Sequence, residues 1–286
     1  MKFQKLLALF LLLLKRLFAD EAVPLAGNIA FRLVFSLFPF LIFLTSLSGF
    51  FGSAELAHNV IQFLISVMPS GLVQPFQSEI ISILTVPRTG LLSVAVLLTL
   101  WSAMGGVDSV RLSLNRAYDI RETRSLWMLY LQNVLFVFVT AVIMLAVATL
   151  LVVLPAVVQV LEAYAPQRLQ DLASINWWRL PLAFILLVIG LFAAHRFLPN
   201  RRLPLSDLTP GIALTVLIWM VLTGGFSWYL RNFSSFTLTY ASLSGIFAAM
   251  FFVYMAALVL IFGGEVNRLI MQIRQGGAFI EKPPHS

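Results

Sequence analysis

Asn28 and Arg32 stand four residues apart, as do Arg111 and Asn115, with Asp108 three residues before the second pair and Glu265 and Asn267 two apart near the carboxyl end. Four-residue spacing sets two side chains on one face of a helix. A guanidinium held beside amides and a carboxylate can close an ion pair, or it can fork onto the oxygens of a bound phosphate or carboxylate. Other chemistries lack their residues. The chain has no cysteine, so neither thiolate catalysis nor a disulfide operates. Its histidines, His58, His195 and His285, are too scattered to assemble a zinc set. A serine nucleophile needs a histidine and an acid, and His195 with Asp207 has only nearness in sequence behind it. No phosphate-binding glycine loop ending in lysine is present, so nothing points to ATP drive, and no cofactor is expected.

The elements that carry these residues follow from composition. Hydrophobic residues make up 60% of the 286 and charged ones 11%, against about 25% charged in an ordinary soluble domain. The apolar residues fall in continuous runs long enough to cross a hydrocarbon core as helices. We place six spans near 29–51, 90–107, 130–153, 181–198, 208–229 and 243–266. The runs do not alternate, which excludes a barrel. The expected fold is all-α, a polytopic membrane bundle of six transmembrane helices with amphipathic interfacial helices, forming one domain over 1–286.

The net charge of +7 does not indicate a nucleic-acid partner, because the basic residues sort by loop. Fourteen lie before the first span or after the second, fourth and sixth, from Lys2 to Lys282, against Arg88, Arg168, Arg179 and Arg231 in the opposite loops. The positive-inside rule then puts both termini in the cytoplasm, with 267–286 as a cytoplasmic tail. Residues 1–20 have Lys15 and Arg16 after their apolar core, which favours an uncleaved interfacial helix over a signal peptide. Segment 52–89 repeats apolar residues at helical spacing over 56–67 and 72–84, with Pro69-Ser70-Gly71 between, and predicts two outer amphipathic helices. Segment 156–180, ending in Trp177 and Trp178, is read the same way.

The blocks FSLFPFLI (35–42), LWSAMGGVDSVRLSLNRAYDIRETRSLW (100–127), TPGIALTVLIW (209–219), SWYL (227–230) and GGEVNRLI (263–270) resemble the YihY/BrkB family of bacterial inner-membrane proteins. The 100–127 block is the most specific of them. Tyr240-Ala241 stands where the family often has Tyr-Gly, and Gly263-Gly264-Glu265 where it often has Gly-Ala-Glu, both small-for-small exchanges. The resemblance implies a six-helix membrane fold and leaves the activity open. The family has carried a ribonuclease label, for which this sequence supplies neither a metal-ligand cluster nor a basic RNA-binding domain.

Arg32 falls about one turn into the first span, where a central arginine costs roughly 2.5–3.5 kcal/mol. It either snorkels to headgroups or pairs with Asp108 or Glu265, which end the second and sixth spans at the same level. With Asn28, Arg111, Asn115 and Asn267 these residues form the expected polar cluster, structural or substrate-binding. Pro39 frees the carbonyl of Phe35, which Ser36 and neighbouring helices can satisfy, and predicts a kink or a broken-helix site. The pairs Gly105-Gly106, Gly224-Gly225 and Gly263-Gly264 predict close helix packing. Asp108–Arg124 is read as an arginine-rich inner loop that sets topology or contacts phosphate. Two functional readings result: a transporter or lipid-handling protein with a cluster open to the cytoplasm, whose partners are membrane lipids and a small or lipidic solute, and a non-transporting scaffold that engages envelope proteins. Neither is an enzyme.

The topology is directly testable because the chain lacks cysteine. Single cysteines at Ser53, Ser174 and Ser235 are expected to react with an impermeant thiol reagent added to intact cells, and those at Ser125, Ser206 and Ser286 are not. Outside labelling of Ser206→Cys overturns the six-span order.

Overall fold

The computed structural model describes residues 2–51, 61, 62, 81, 89–155, 157, 158, 178–233 and 241–274. Among the described residues the chain forms seven α-helices and no strand: α1 Lys2–Ala19, α2 Ala22–Phe51, α3 Thr89–Ala117, α4 Leu126–Ala148, α5 Arg179–Phe197, α6 Leu205–Phe233 and α7 Ala241–Arg274. α4 continues into one π-helical turn, Thr149–Val153, at whose start the Thr149 hydroxyl donates to the Leu145 carbonyl. Every helix except α1 is long and apolar enough to cross a membrane, and α1 is kept from it by Lys2, Lys5, Lys15 and Arg16. The outer helices expected over 56–67 and 72–84, and most of 156–180, lie outside the described residues, apart from helical positions 61, 62 and 81.

Two boundaries differ from expectation. The second span does not give way to a loop at Asp108; α3 runs on to Ala117. Its charged residues are satisfied without leaving the helix, Arg111 by Asp108 three residues earlier and by Glu122 beyond its end. Likewise α7 continues past residue 266 to Arg274, so Asn267 and Arg268 are helical, not part of a tail.

The chain divides into two compact units, 32–106 and the remainder, with the divisions inside α2 after Phe31 and inside α3 after Gly106. In the first, α2 runs unbroken through buried Pro39. The Ser36 hydroxyl donates to Leu33 O at 2.7 Å and not to the carbonyl that Pro39 frees. A methyl at Gly105 would sit 2.8 Å from Arg32 Nη1, and one at Gly106 would sit 3.1 Å from Leu33 Cδ2. This glycine pair therefore makes room for the α2 side chains.

In the larger unit α4 is inverted relative to a helix of a water-soluble fold. The one residue that α4 buries is Asn133, while Trp127, Leu131 and Leu145 stand exposed. That arrangement suits a helix whose solvent is hydrocarbon, because a polar group must then find its partner inside the protein. One apolar core joins Leu114 and Tyr118 to Leu191 of α5 and Leu198 just beyond it, Leu208 and Ile212 of α6 and Leu260 of α7. A second joins Leu17 of α1, Ala22, Ala26 and Ile29 of α2, Ala117 of α3, and Ala257 and Ile261 of α7.

α6 and α7 make the closest crossing. A side chain on Gly211 would strike the Gly263 carbonyl, and one on Gly263 would strike the Thr215 hydroxyl and sit 2.9 Å from Gly211 O. The expectation for Gly224-Gly225 is corrected: among the described residues nothing lies within 4 Å of where their side chains would be, so they face open space. Gly211→Ala is therefore expected to lower the stability measured by thermal denaturation in detergent by about 1–3 kcal/mol through overpacking. Gly224→Ala, on the same helix, should be neutral or stabilising by up to about 1 kcal/mol. Equal effects from the two would exclude a backbone-to-backbone crossing at Gly211.

Candidate functional site

α3 carries the first polar group on the face that Asp108, Arg111 and Asn115 share. Arg111 is buried, and its guanidinium binds Asp108 on one side and Glu122 Oε2, at 3.0 Å, on the other. Asn115 Nδ2 donates to the same Glu122 oxygen at 3.0 Å, and its Oδ1 accepts the backbone N–H of Asn200 at 3.0 Å. Arg124 clasps both Glu122 oxygens and donates to Leu198 O at 2.8 Å. Asn133, the inward residue of α4, donates to Asp108 at 3.3 Å. Partial burial alone would raise the Glu122 carboxyl, but the hydrogen bonds and charge of Arg124, with the Asn115 amide, bring it down to about 2. One carboxylate thus ties the end of α3 to the connection that follows it. The phosphate contact expected of these arginines loses two candidates, since Glu122 occupies the forks of Arg111 and Arg124.

The second group is a buried chain of uncharged partners. Asn267 Oδ1 accepts the Gly211 N–H at 2.6 Å, which fixes the amide so that its Nδ2 donates to Tyr118 Oη at 3.1 Å. Tyr118 then has its own proton for His195 Nδ1, 2.7 Å away. In that arrangement His195 carries its remaining hydrogen on Nε2, which is buried without an acceptor among the described residues. Burial holds the Tyr118 phenol above its ordinary range, opposed by the Asn267 hydrogen bond.

Around α7 the third group gathers the charges of three helix ends. Arg268 donates through Nη1 to Asp20 Oδ2 and through Nη2 to Asp119 Oδ2, each at 3.0 Å. It thereby pins the α1–α2 turn and the end of α3 to one point. Asp119 and Glu21 both adopt left-handed backbone angles, φ 56° and 58°, in these turns. Arg116 bonds Glu21 at 2.5 Å, and Arg16 donates through Nη2 to Gln272 Oε1 at 2.8 Å. Burial first, then the charge of Arg268, pulls the Arg16 guanidinium below its ordinary value, and acidic neighbours including Asp20 and Asp119 oppose that. Glu265 is wholly buried, and neither of its oxygens meets a hydrogen-bond donor among the described residues.

The residues singled out from sequence therefore separate. Asp108, Arg111 and Asn115 meet through Glu122. Asn267 joins Tyr118 and His195. Glu265 stands among Asp20, Arg268 and Arg16. Asn28 is half-buried on α2. Arg32 belongs to the smaller unit, is exposed, and donates to Gly105 O at 3.5 Å. Sequence reasoning passed over Asp20, Tyr118, Asp119, Glu122 and the site role of Arg268. A signal existed for the last: Glu265 and Arg268 are three apart, the spacing that shares a helical face. His195 and Asp207 do not pair, since His195 holds Tyr118 while Asp207 accepts from Arg274 at 2.6 Å.

A family model described as virulence factor BrkB matches residues 13–284, which take in all three groups. A Bacillus subtilis protein with a ribonuclease-like name, YfkH, is 29% identical over 265 residues, covering 90% of this chain and 94% of that protein. A UPF0761 membrane protein of Alteromonas mediterranea is 24% identical over 261 residues, 90% of this chain and 85% of its own. Another, from Xanthomonas campestris pv. campestris, is 24% identical over 277 residues, and the chain spans 62% of its length. No solved structure matches.

Two arginines of α7 provide the test of the clasp. Arg268→Gln leaves Asp20 buried without its partner and is expected to cost about 3–5 kcal/mol of stability. Arg274→Gln removes a half-exposed pair with Asp207 and should cost less than about 1 kcal/mol. Thermal denaturation of the two variants in one detergent decides it, and a loss at Arg268 no greater than at Arg274 removes the clasp from the account.

Proposed function

Because the chain belongs to the virulence factor BrkB family and carries six helices fit to cross a membrane, we propose that it is an inner-membrane transporter or lipid-handling protein. Its termini and its charged helix ends face the cytoplasm. The observation that carries the reading is Glu265. An ionisable group inside a membrane span is costly unless it is partnered or used, and a carboxyl that no donor reaches among the described residues has no structural return there to offset that cost. The neighbouring Arg268 clasp could have been completed by Asp20 and Asp119 alone. Glu265 is therefore read as a working group, with the buried His195–Tyr118–Asn267 chain beside it.

Ribonuclease chemistry, which the name of the Bacillus subtilis relative suggests for that protein, receives no support from side chains here. Among the described residues no three of His, Asp and Glu gather to hold a metal, and His195 is buried and engaged by Tyr118. We read the chain as a non-enzyme. A non-transporting scaffold is favoured by one feature, the locking of both the α1–α2 turn and the end of α3 onto Arg268, since a rigid end suits a platform for envelope partners.

Native mass spectrometry of the full chain, released from nanodiscs of phosphatidylethanolamine and phosphatidylglycerol, separates the two. The transport reading expects a lipid or polar solute that survives delipidation on the wild type and is lost from Glu265→Ala. Identical spectra from the two proteins, with nothing retained, overturn it and leave the scaffold.

A further inference from the structure

We propose that Asp20 and Glu265 form a binding site for one proton, held between their carboxyl groups. The inference rests on the transport reading for its purpose, as the coupling cation of that cycle, but not for its geometry. Glu265 is fully buried, and among the described residues no N–H or O–H donor reaches either oxygen. The group within hydrogen-bonding reach of it is another carboxyl, that of Asp20, which is itself only 3% exposed. Two ionised carboxylates are both acceptors and cannot bond each other; with one proton between them, one donates and the other accepts.

The surrounding cations do not replace that proton. The groups facing the pair are Arg16 from α1, Arg268 from α7, and Tyr118 and Asp119 from the end of α3. Arg268 donates to Asp20 and to the half-exposed Asp119, Arg16 donates to the uncharged Gln272, and Tyr118 is a neutral phenol. A buried carboxyl to which no guanidinium donates is favoured in its neutral, protonated form. Arg268 also distinguishes the two acids. It donates to Asp20 Oδ2 at 3.0 Å and so stabilises charge there, which leaves Glu265 to carry the proton and Asp20 to accept from it.

The site is assembled from parts that can separate. Asp20 lies in the two-residue turn between α1 and α2, whereas Glu265 is fixed on α7 beside the α6 crossing. Withdrawal of α1 from α7 would part the carboxyls and bring Glu265 to water, where it would release the proton. Loading and release are thereby linked to the seating of α1, which Arg16 and Gln272 also hold.

Infrared spectroscopy of the purified full chain reads the site without any transported solute. At pH 7 the wild type is expected to show the C=O stretch of a protonated carboxyl, with its characteristic shift in heavy water, and both Glu265→Gln and Asp20→Asn are expected to lose it. Glutamine has the size and neutrality of the protonated acid, so Glu265→Gln should accumulate and melt like the wild type; its failure to fold counts against the proposal. A band absent at pH 7, or one that persists in Glu265→Gln, overturns it. A band seen only when sodium is replaced by choline also overturns it, and assigns the site to a metal cation instead. A band present in a chain that retains no lipid or solute leaves the proton site standing and removes the transport reading.

Discussion

The contact on which the larger unit depends is the crossing of α6 over α7 at Gly211 and Gly263. In hydrocarbon the hydrophobic effect does not draw helices together, so association relies on close packing and on polar groups that find partners. Both are present at this crossing. With no side chains between the backbones, Asn267, one turn beyond Gly263, reaches the Gly211 N–H. That bond orients its amide toward Tyr118, and Tyr118 in turn holds His195 of α5. Thr215 donates to the Gly211 carbonyl of its own helix at 2.9 Å and reaches the Val259 carbonyl of α7 at 3.4 Å. A pair of glycines thus determines the direction of a hydrogen-bond chain that passes from α6 through α7 and the end of α3 to α5.

The charged groups rest on this frame and do a different task. Asp20 and Asp119 lie in short turns whose backbones include left-handed residues, a conformation that costs roughly 1–2 kcal/mol away from glycine. Arg268 offsets that strain by binding both turns at once. Glu122 does the same for the connection after α3, where two arginines and an asparagine converge on one exposed-edge carboxylate. The contrast with Glu265 is informative. Glu122 accepts from several donors and is held ionised, whereas neither oxygen of the buried Glu265 meets a donor among the described residues.

The spans were legible because continuous apolar runs leave few alternatives at membrane thickness, and the helical content followed from the same fact. The end of α3 was not, because Asp108, Arg111 and Arg116 read as the composition of a loop. Only the fold supplies the Glu122 carboxylate that lets those charges stay in a helix. The proximity of Arg111 and Asn115 was visible, as a four-residue spacing. The partners of Arg268 were not: Asp20 is 248 residues away and Asp119 is 149, and no periodicity reports contacts at that separation. Reading Arg32 toward Asp108 or Glu265 used level in the membrane as a proxy for adjacency. Level does not specify which helices touch; within the larger unit Asp108 bonds Arg111, and Arg268 and Arg16 stand near Glu265.

Glycine and glutamate are neighbours in the stretch Gly263-Gly264-Glu265, and their adjacency carries a mechanical consequence. Gly263 ties this part of α7 to α6, and a methyl on Gly264 would lie 3.0 Å from the Ala117 side chain, so α3 also sits close on the opposite side. The backbone that bears Glu265 is therefore clamped between two helices and has little freedom to move. α1 is held to α7 by fewer and more polar contacts, Arg16 to Gln272 and Asp20 to Arg268, together with Leu17. Charged groups that part into water regain their hydration, whereas a packed glycine crossing has no such substitute. If the group around Glu265 opens, the element that moves is α1 with its turn, and the carboxyl on α7 is the fixed point against which that motion is set.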